Sequence, residues 1–169
     1  MNESQKPYSR PFEALEGCTL TRGLSESDAA VLGEMLGGID PWLSLGVSPK
    51  ALAGYLLRDD PALTRYVVRV GDFEEIVGVI CIRYPWLRGP YIELLGMSDG
   101  YQGRGLGGQV LRWAEAEARR ESRNLWVVTS SFNHKARAFY RRHGFYEIGP
   151  LKGLVSNEVD EILFRKDWD

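Results

Sequence analysis

The stretch from Asp99 to Gln109, DGYQGRGLGGQ, carries five glycines in eleven positions. Such a density serves the backbone: where Cβ atoms are missing, a ligand can approach the amides directly. The glycines fall between an apolar, strand-like run, YIELLGM, and a long amphipathic pattern, LGGQVLRWAEAEARRES, so they form the entry to a helix. The first amides of a helix have no intrahelical partner and lie at the positive end of its dipole, which suits an anion, usually a phosphate. A strand-to-helix turn that binds nothing would need only one or two glycines. A second chemical signal is Glu93, inside the apolar run YIELLGM on a strand face read as shared with Tyr91 and Leu95. A carboxylate there is costly unless it is paired or used. Arg83, on the neighbouring strand, is the candidate for pairing.

Gly103, Gly105 and Gly108 satisfy the dinucleotide pattern G-x-G-x-x-G, but that fold requires an acidic residue at the end of the next strand. The next strand ends in Thr129-Ser130-Ser131, without a carboxylate. Only 61 residues follow Gly108, too few for the remaining parallel strands. A P-loop is excluded, because Gln109 and Val110 stand where Lys and Ser or Thr belong.

The elements that must position these residues alternate along the chain. With 169 residues, 44% hydrophobic and 26% charged, the composition is that of one globular domain. The net charge of −2 disfavours a nucleic-acid partner. Cys18 and Cys81 lie in apolar stretches and read as buried free thiols, with no metal-ligand spacing around them. No signal-peptide core or membrane-length apolar run occurs, so a cytoplasmic protein is expected, with residues 1–13 a flexible tail and residues 14–169 one domain. CTLTRG reads as a strand. Ser25 with Asp28 caps a helix through SDAAVLGEML, and Ser48 followed by Pro49 opens a second. TRYVVRVG, EEIVGVICIRY and YIELLGM are strands, and the glycine entry then leads into a helix with Leu106, Val110, Trp113, Ala114 and Ala118 on one face. NLWVVTS is a strand, and NHKARAFYRRHG a helix capped by Asn133 and ended by Gly144. FYEIGPL and VDEILFRKD form a hairpin across KGLVSNE. The order βααβββαβαββ predicts an α/β fold: a mixed, mostly antiparallel sheet of about seven strands with helices on both faces.

In this setting Gln102-Gly103-Arg104-Gly105-Leu106-Gly107 resembles the Q/R-x-x-G-x-G/A motif of the GNAT superfamily of acyl-CoA-dependent N-acyltransferases. TSSFNHKARAFYRRHGF resembles that family's second block through Asn133, Ala136, Phe139-Tyr140 and Gly144-Phe145, and the element order is similar from Cys18 to the C-terminus. The resemblance implies an N-acetyltransferase that moves an acetyl group from acetyl-CoA to a primary amine by direct attack. A non-catalytic acyl-CoA-binding module of the same fold is the alternative. No metal is implied.

The resemblance places the CoA pyrophosphate on Gln102, Gly103, Arg104, Gly105, Leu106 and Gly107, and the pantetheine arm beside Leu95 and Met97. The Met97 amide would meet the thioester carbonyl, and Asn133 would touch the arm while capping its helix. Gly96 fits either a strand irregularity or plain packing. Tyr140 matches the tyrosine that protonates the departing thiolate; the alternative is packing beside Phe139. Glu93 matches a glutamate that takes a proton from the amine or orients the acceptor; the alternative is the ion pair with Arg83. The acceptor side is expected from IDPWLSLG and RYPWLRGP, with Trp42, Tyr84, Trp86 and Tyr91 lining it for an apolar or cationic amine, or serving as core anchors or a dimer contact. His134 and His143 read as solvated. The expected partners are a small-molecule or peptide amine, with neither nucleic acid nor membrane, for a monomer or homodimer.

Overall fold

The computed structural model describes residues 6–169. Helix starts follow local chemistry. Helix α1 (Glu26–Gly37) begins with a capping box: the Ser25 hydroxyl accepts from the Asp28 amide, and the Asp28 carboxylate accepts from the Ser25 amide. Helix α2 (Pro49–Leu57) is capped by Ser48, with proline in its first turn. Helix α3 (Leu106–Ala118) has no side-chain cap and follows Gly105 at φ 85°. Helix α4 (His134–Arg142) starts where the Asn133 side chain accepts from the Ala136 amide, and Gly144, at φ 84°, ends it.

The strands are β1 (Phe12–Ala14), β2 (Thr19–Arg22), β3 (Leu63–Val70), β4 (Glu75–Trp86), β5 (Gly89–Met97), β6 (Asn124–Ser130), β7 (Tyr146–Ser156) and β8 (Val159–Asp167). They form one sheet in the order β1-β2-β3-β4-β5-β6-β8-β7. Every neighbouring pair is antiparallel except β5–β6. The expected mixed α/β architecture is thus present, with eight strands among the described residues rather than about seven. The additional strand, β1, is three residues long and too short to show a period.

Residues 6–13 correct the expectation of a flexible tail. Tyr8 is buried; its amide donates to the Glu117 carboxylate at 3.0 Å and its hydroxyl to the Ala114 carbonyl at 2.7 Å. Its ring meets Trp113 edge-on. An aromatic that fills the space beside α3 ties this segment to the core, and β1 then pairs with β2. Residues 1–5 of the expected tail lie outside the described residues. The β7–β8 turn is also tighter than expected, since pairing continues to Ser156 and resumes at Val159.

The sheet separates two cores. Leu32 and Leu36 of α1 and Leu52 and Leu56 of α2 pack on Val67, Val79, Cys81 and Leu94. Val110, Leu111 and Ala114 of α3 and Tyr140 of α4 pack on Ile80, Ile92, Val127 and Phe164 on the other face. Burying each such leucine or valine stabilises by about 1.5–3 kcal/mol relative to exposure. Cys18 and Cys81 are buried free thiols.

Strand β5 changes face within itself. Ile82 pairs with Ile92 but Cys81 pairs with Leu94, so Glu93 is an extra residue, a β-bulge. Ile92 and Leu95 therefore face α3, whereas Leu94 faces α1 and α2. Glu93 does not share a face with Leu95 as simple alternation predicted. Gly96 sits just beyond: a Cβ there would lie 2.3 Å from Leu36 Cδ2 and 3.4 Å from the Trp42 ring. The packing reading of Gly96 is the one observed. Gly96→Ala should cost roughly 1–3 kcal/mol in chemical denaturation, because Leu36 is fully buried and has little room to yield.

Candidate functional site

A cleft of about 650 Å³ opens where β5 and β6 part. The two strands pair only at Tyr91–Trp126 and Ile92–Val127, while β5 stays on β4 as far as Met97 and β6 stays on β8 as far as Ser130. The ladder sets the direction of the freed amides. Ser98 N donates to Val77 O, so the next pair, Gly78–Met97, is non-hydrogen-bonded, and Ile80–Leu95 likewise. The amides of Leu95 and Met97 therefore point away from β4, into the gap.

The glycine loop closes one end. Gly103 and Gly105 have φ of 75° and 85°, and a Cβ at either would meet nothing within 4 Å. With no side-chain cap on α3, its first amides are left to whatever enters the cleft. The Gln102 side chain anchors the loop: its amide donates to the Met97 carbonyl at 2.9 Å, and its oxygen accepts from Lys135. Lys135, Arg112 and Arg142 also line the cleft and give it a cationic wall, with His143 beside them. Thr129 presents a buried hydroxyl without a hydrogen-bond partner among the described residues. A pyrophosphate-bearing thioester with an amide-containing arm fits these features: uncapped amides, glycines without obstruction, cations and an orphaned hydroxyl.

Tyr140 reaches the cleft from α4. Its ring packs against Phe139, Phe145 and Phe164, and its hydroxyl hydrogen-bonds to no described residue. Burial, and then the neighbouring Tyr91, raise its pKa, so the phenol keeps its proton at any ordinary pH. The aromatic packing and an available hydroxyl occur together.

On the α1–α2 face the cleft is lined by Trp42, Leu45, Tyr91, Glu93 and Glu161. Glu93 is held in place. Arg83 Nε donates to one oxygen at 2.6 Å, Arg83 Nη2 to the other at 3.3 Å, and the Tyr55 hydroxyl to that second oxygen at 2.8 Å. Asp60 holds the far side of Arg83 at 2.9 Å. The ion pair read as an alternative for Glu93 is therefore present. Tyr91 has its pKa pushed up to about 12, by burial first and then by Glu93 and Glu161.

Not every expected side chain lines the cleft, though the amides of Arg104 and Leu106 belong to the loop at its end. Leu106 is buried in the α3 core, and the Arg104 guanidinium lies over the Tyr101 ring at 5.0 Å. Trp86 stands behind Tyr91, ring centroids 4.8 Å apart, and also meets Trp126. Tyr84 is absent from the lining, its amide bonded to the Ala62 carbonyl. Leu95, Met97, Gln102, Gly103, Gly105, Gly107, Asn133, Tyr140, Glu93, Trp42 and Tyr91 are brought together. His143 was read as solvated, but it is half-buried at the cationic wall, 4.6 Å from the Phe139 ring. Sequence reasoning missed Thr129, Ser130 and Glu161. The signal for Glu161 was its alternation with Val159 and Leu163, which gives a carboxylate the position of an inward residue.

Residues 38–145 match the model of the Acetyltransferase (GNAT) family. A streptothricin acetyltransferase from Streptomyces lavendulae is 30% identical over 104 residues, 60% of this chain and 55% of that protein, so the chain spans about half the length of this curated relative. The structure of a nourseothricin acetyltransferase is similar at TM-score 0.57 and 26% identity over 66% of this chain and 68% of that one. A GNAT family acetyltransferase from Elizabethkingia anophelis, with acetyl-CoA bound, has the same fold at TM-score 0.62 and 20% identity over 80% and 89% of the two chains.

The cationic wall sets a pH dependence. Burial, then Arg112, Lys166 and Arg142, lower the His143 pKa below 6.5. Folding thus favours the neutral ring, and this contribution is complete above about pH 6.5 and is lost as pH falls from there through the lowered native value. His143→Gln should flatten the decline of unfolding free energy below about pH 6.5, measured by denaturant titration at each pH.

Proposed function

Since the chain belongs to the GNAT acetyltransferase family, we propose that it transfers the acetyl group of acetyl-CoA to a primary amine of a small molecule. One observation supports this above the rest: a single cleft joins the uncapped, glycine-rich start of α3 to the unengaged Tyr140 hydroxyl and to an acid-bearing face opposite. The phosphates would lie on the amides from Gly103 to Gly107, near Lys135 and Arg112, as anions do at helix starts. The arm would run along the open edge of β5, with Asn133 and Thr129 as polar neighbours. The Met97 amide, aimed into the gap, suits the thioester oxygen as negative charge grows there.

The amine nitrogen would attack the thioester carbon, the C–S bond would break, and Tyr140 would give its proton to the departing sulfur. A raised phenol pKa makes Tyr140 a donor that is always loaded. Glu93, with both oxygens engaged by Arg83 and Tyr55 and its charge matched by Arg83, serves this reading as a fixed polar wall beside the acceptor rather than as the proton acceptor. Trp42 and Tyr91 would hold an apolar or cationic amine. Streptothricin, the acceptor in the name of the curated relative, is the first amine to test, beside spermidine, L-lysine amide and phenylethylamine.

Two measurements test the reading. CoA and acetyl-CoA at about 100 times their dissociation constants should add roughly 2.7 kcal/mol of stability, seen as a melting shift that NAD and ATP do not reproduce. Tyr140→Phe should keep that shift while kcat for transfer falls about 100-fold or more. A CoA shift without acetylation of any amine would favour the non-catalytic binding module. No CoA shift would remove the reading altogether.

A further inference from the structure

Three carboxylates line the cleft: Asp40 is exposed and accepts from Ser44, Glu93 is paired with Arg83, and Glu161 is buried with no cation beside it among the described residues. It is 5% exposed and lies on β8 directly opposite Ser130 of β6, whose hydroxyl donates to Oε1 at 2.6 Å. That hydroxyl is its only hydrogen-bond partner among the described residues. The contrast with Glu93 is chemical: Arg83 neutralises one acid of this face and nothing neutralises the other. A buried carboxylate without a cation is costly unless it is used. Its surroundings leave the second oxygen open to the cleft. Ser130 lies across on β6, Leu151 is its register partner on β7, and Tyr91 of β5 couples to it electrostatically, while Tyr140 of α4 lines the same cleft.

We propose that Glu161, held by Ser130, is the counter-charge for the acceptor's ammonium group and takes its proton before attack. This rests on the acetyltransferase reading and supplies the base that Glu93 does not. The ammonium gives one proton to the Glu161 carboxylate and becomes a neutral amine. Its lone pair forms the N–C bond to the thioester carbon, and the C–S bond breaks as sulfur takes the Tyr140 proton. The second nitrogen proton restores Tyr140, and Glu161 releases its proton to solvent. The acceptor class is therefore a primary amine that arrives charged, and Trp42 and Tyr91 supply aromatic walls for such a cation.

The test uses the full chain with whichever of the four amines above the wild type acetylates fastest, and follows kcat, KM and their pH profiles. Burial raises the Glu161 pKa and the Ser130 hydroxyl lowers it, so the net rise puts the acid limb of kcat/KM above the ordinary glutamate range. Glu161→Gln should lower kcat by about 100-fold or more and abolish that limb, while the CoA-induced melting shift stays. Glu161→Asp should recover part of the rate. Ser130→Ala leaves the carboxylate but removes its hydrogen bond, so the limb should move to higher pH. If Glu161→Gln fails to fold, seen as loss of the melting transition, the direction of the Ser130→Ala limb decides. A Glu161→Gln enzyme within about threefold of wild type with an unmoved limb, or a Ser130→Ala limb that stays in place, overturns the proposal and leaves the acetyltransferase reading intact. Should the wild type acetylate none of the four amines, both readings fall together.

Discussion

The parallel pairing of β5 with β6 ends after two residues, and the site depends on that ending. A continued ladder would fill the space between the strands and consume the amides of Leu95 and Met97. Each buried N–H without a partner costs about 1–3 kcal/mol, so the parting is sustained only because β4 and β8 still hold the outer edges of the two strands. The bulge at Glu93 lies where the parting begins. It turns Leu94 to the α1–α2 core and Leu95 to the α3 core, and it carries the carboxylate to Arg83 and Tyr55.

The parted strands connect two faces of a sheet that otherwise separates two cores. On the α3–α4 face, glycines, uncapped amides, Lys135, Arg112 and Arg142 make an electropositive end. On the α1–α2 face, Glu161 makes an acidic one, beside Trp42, Tyr91 and the Arg83-paired Glu93. Tyr140, in the aromatic packing of α4 and β8, lies along the passage between them. The cleft thus has ends of opposite charge, and the low dielectric of the buried section strengthens the field of each. The charge pattern is a property of the assembled sheet, for the chain as a whole carries a net charge of only −2.

Much of the scaffold was legible because its signals are local. The Ser25, Ser48 and Asn133 caps bond amides three residues away, and each helix starts where those residues place it. Gly144 ends α4 by its left-handed backbone, and the glycines from Gly103 to Gly107 mark a helix entry bare of side chains. Strand β1 and the burial of Tyr8 were not legible. A three-residue strand has no period, and the partners of Tyr8 lie more than a hundred residues away.

The order of the elements, the helix caps, the glycine-lined start of α3 and the Asn133–Tyr140 spacing can be read from the chain alone, because all of these depend on neighbours within a turn or two. The assembled fold adds that Glu93 is held by Arg83, that Trp86 supports Tyr91 from behind, that His143 enters the cleft, and that Glu161 faces it with no cation beside it among the described residues. Those outcomes depend on register. A one-residue bulge in β5 reverses the faces that alternation predicts, and the β6–β8 pairing brings Ser130 opposite Glu161, 31 residues further along the chain.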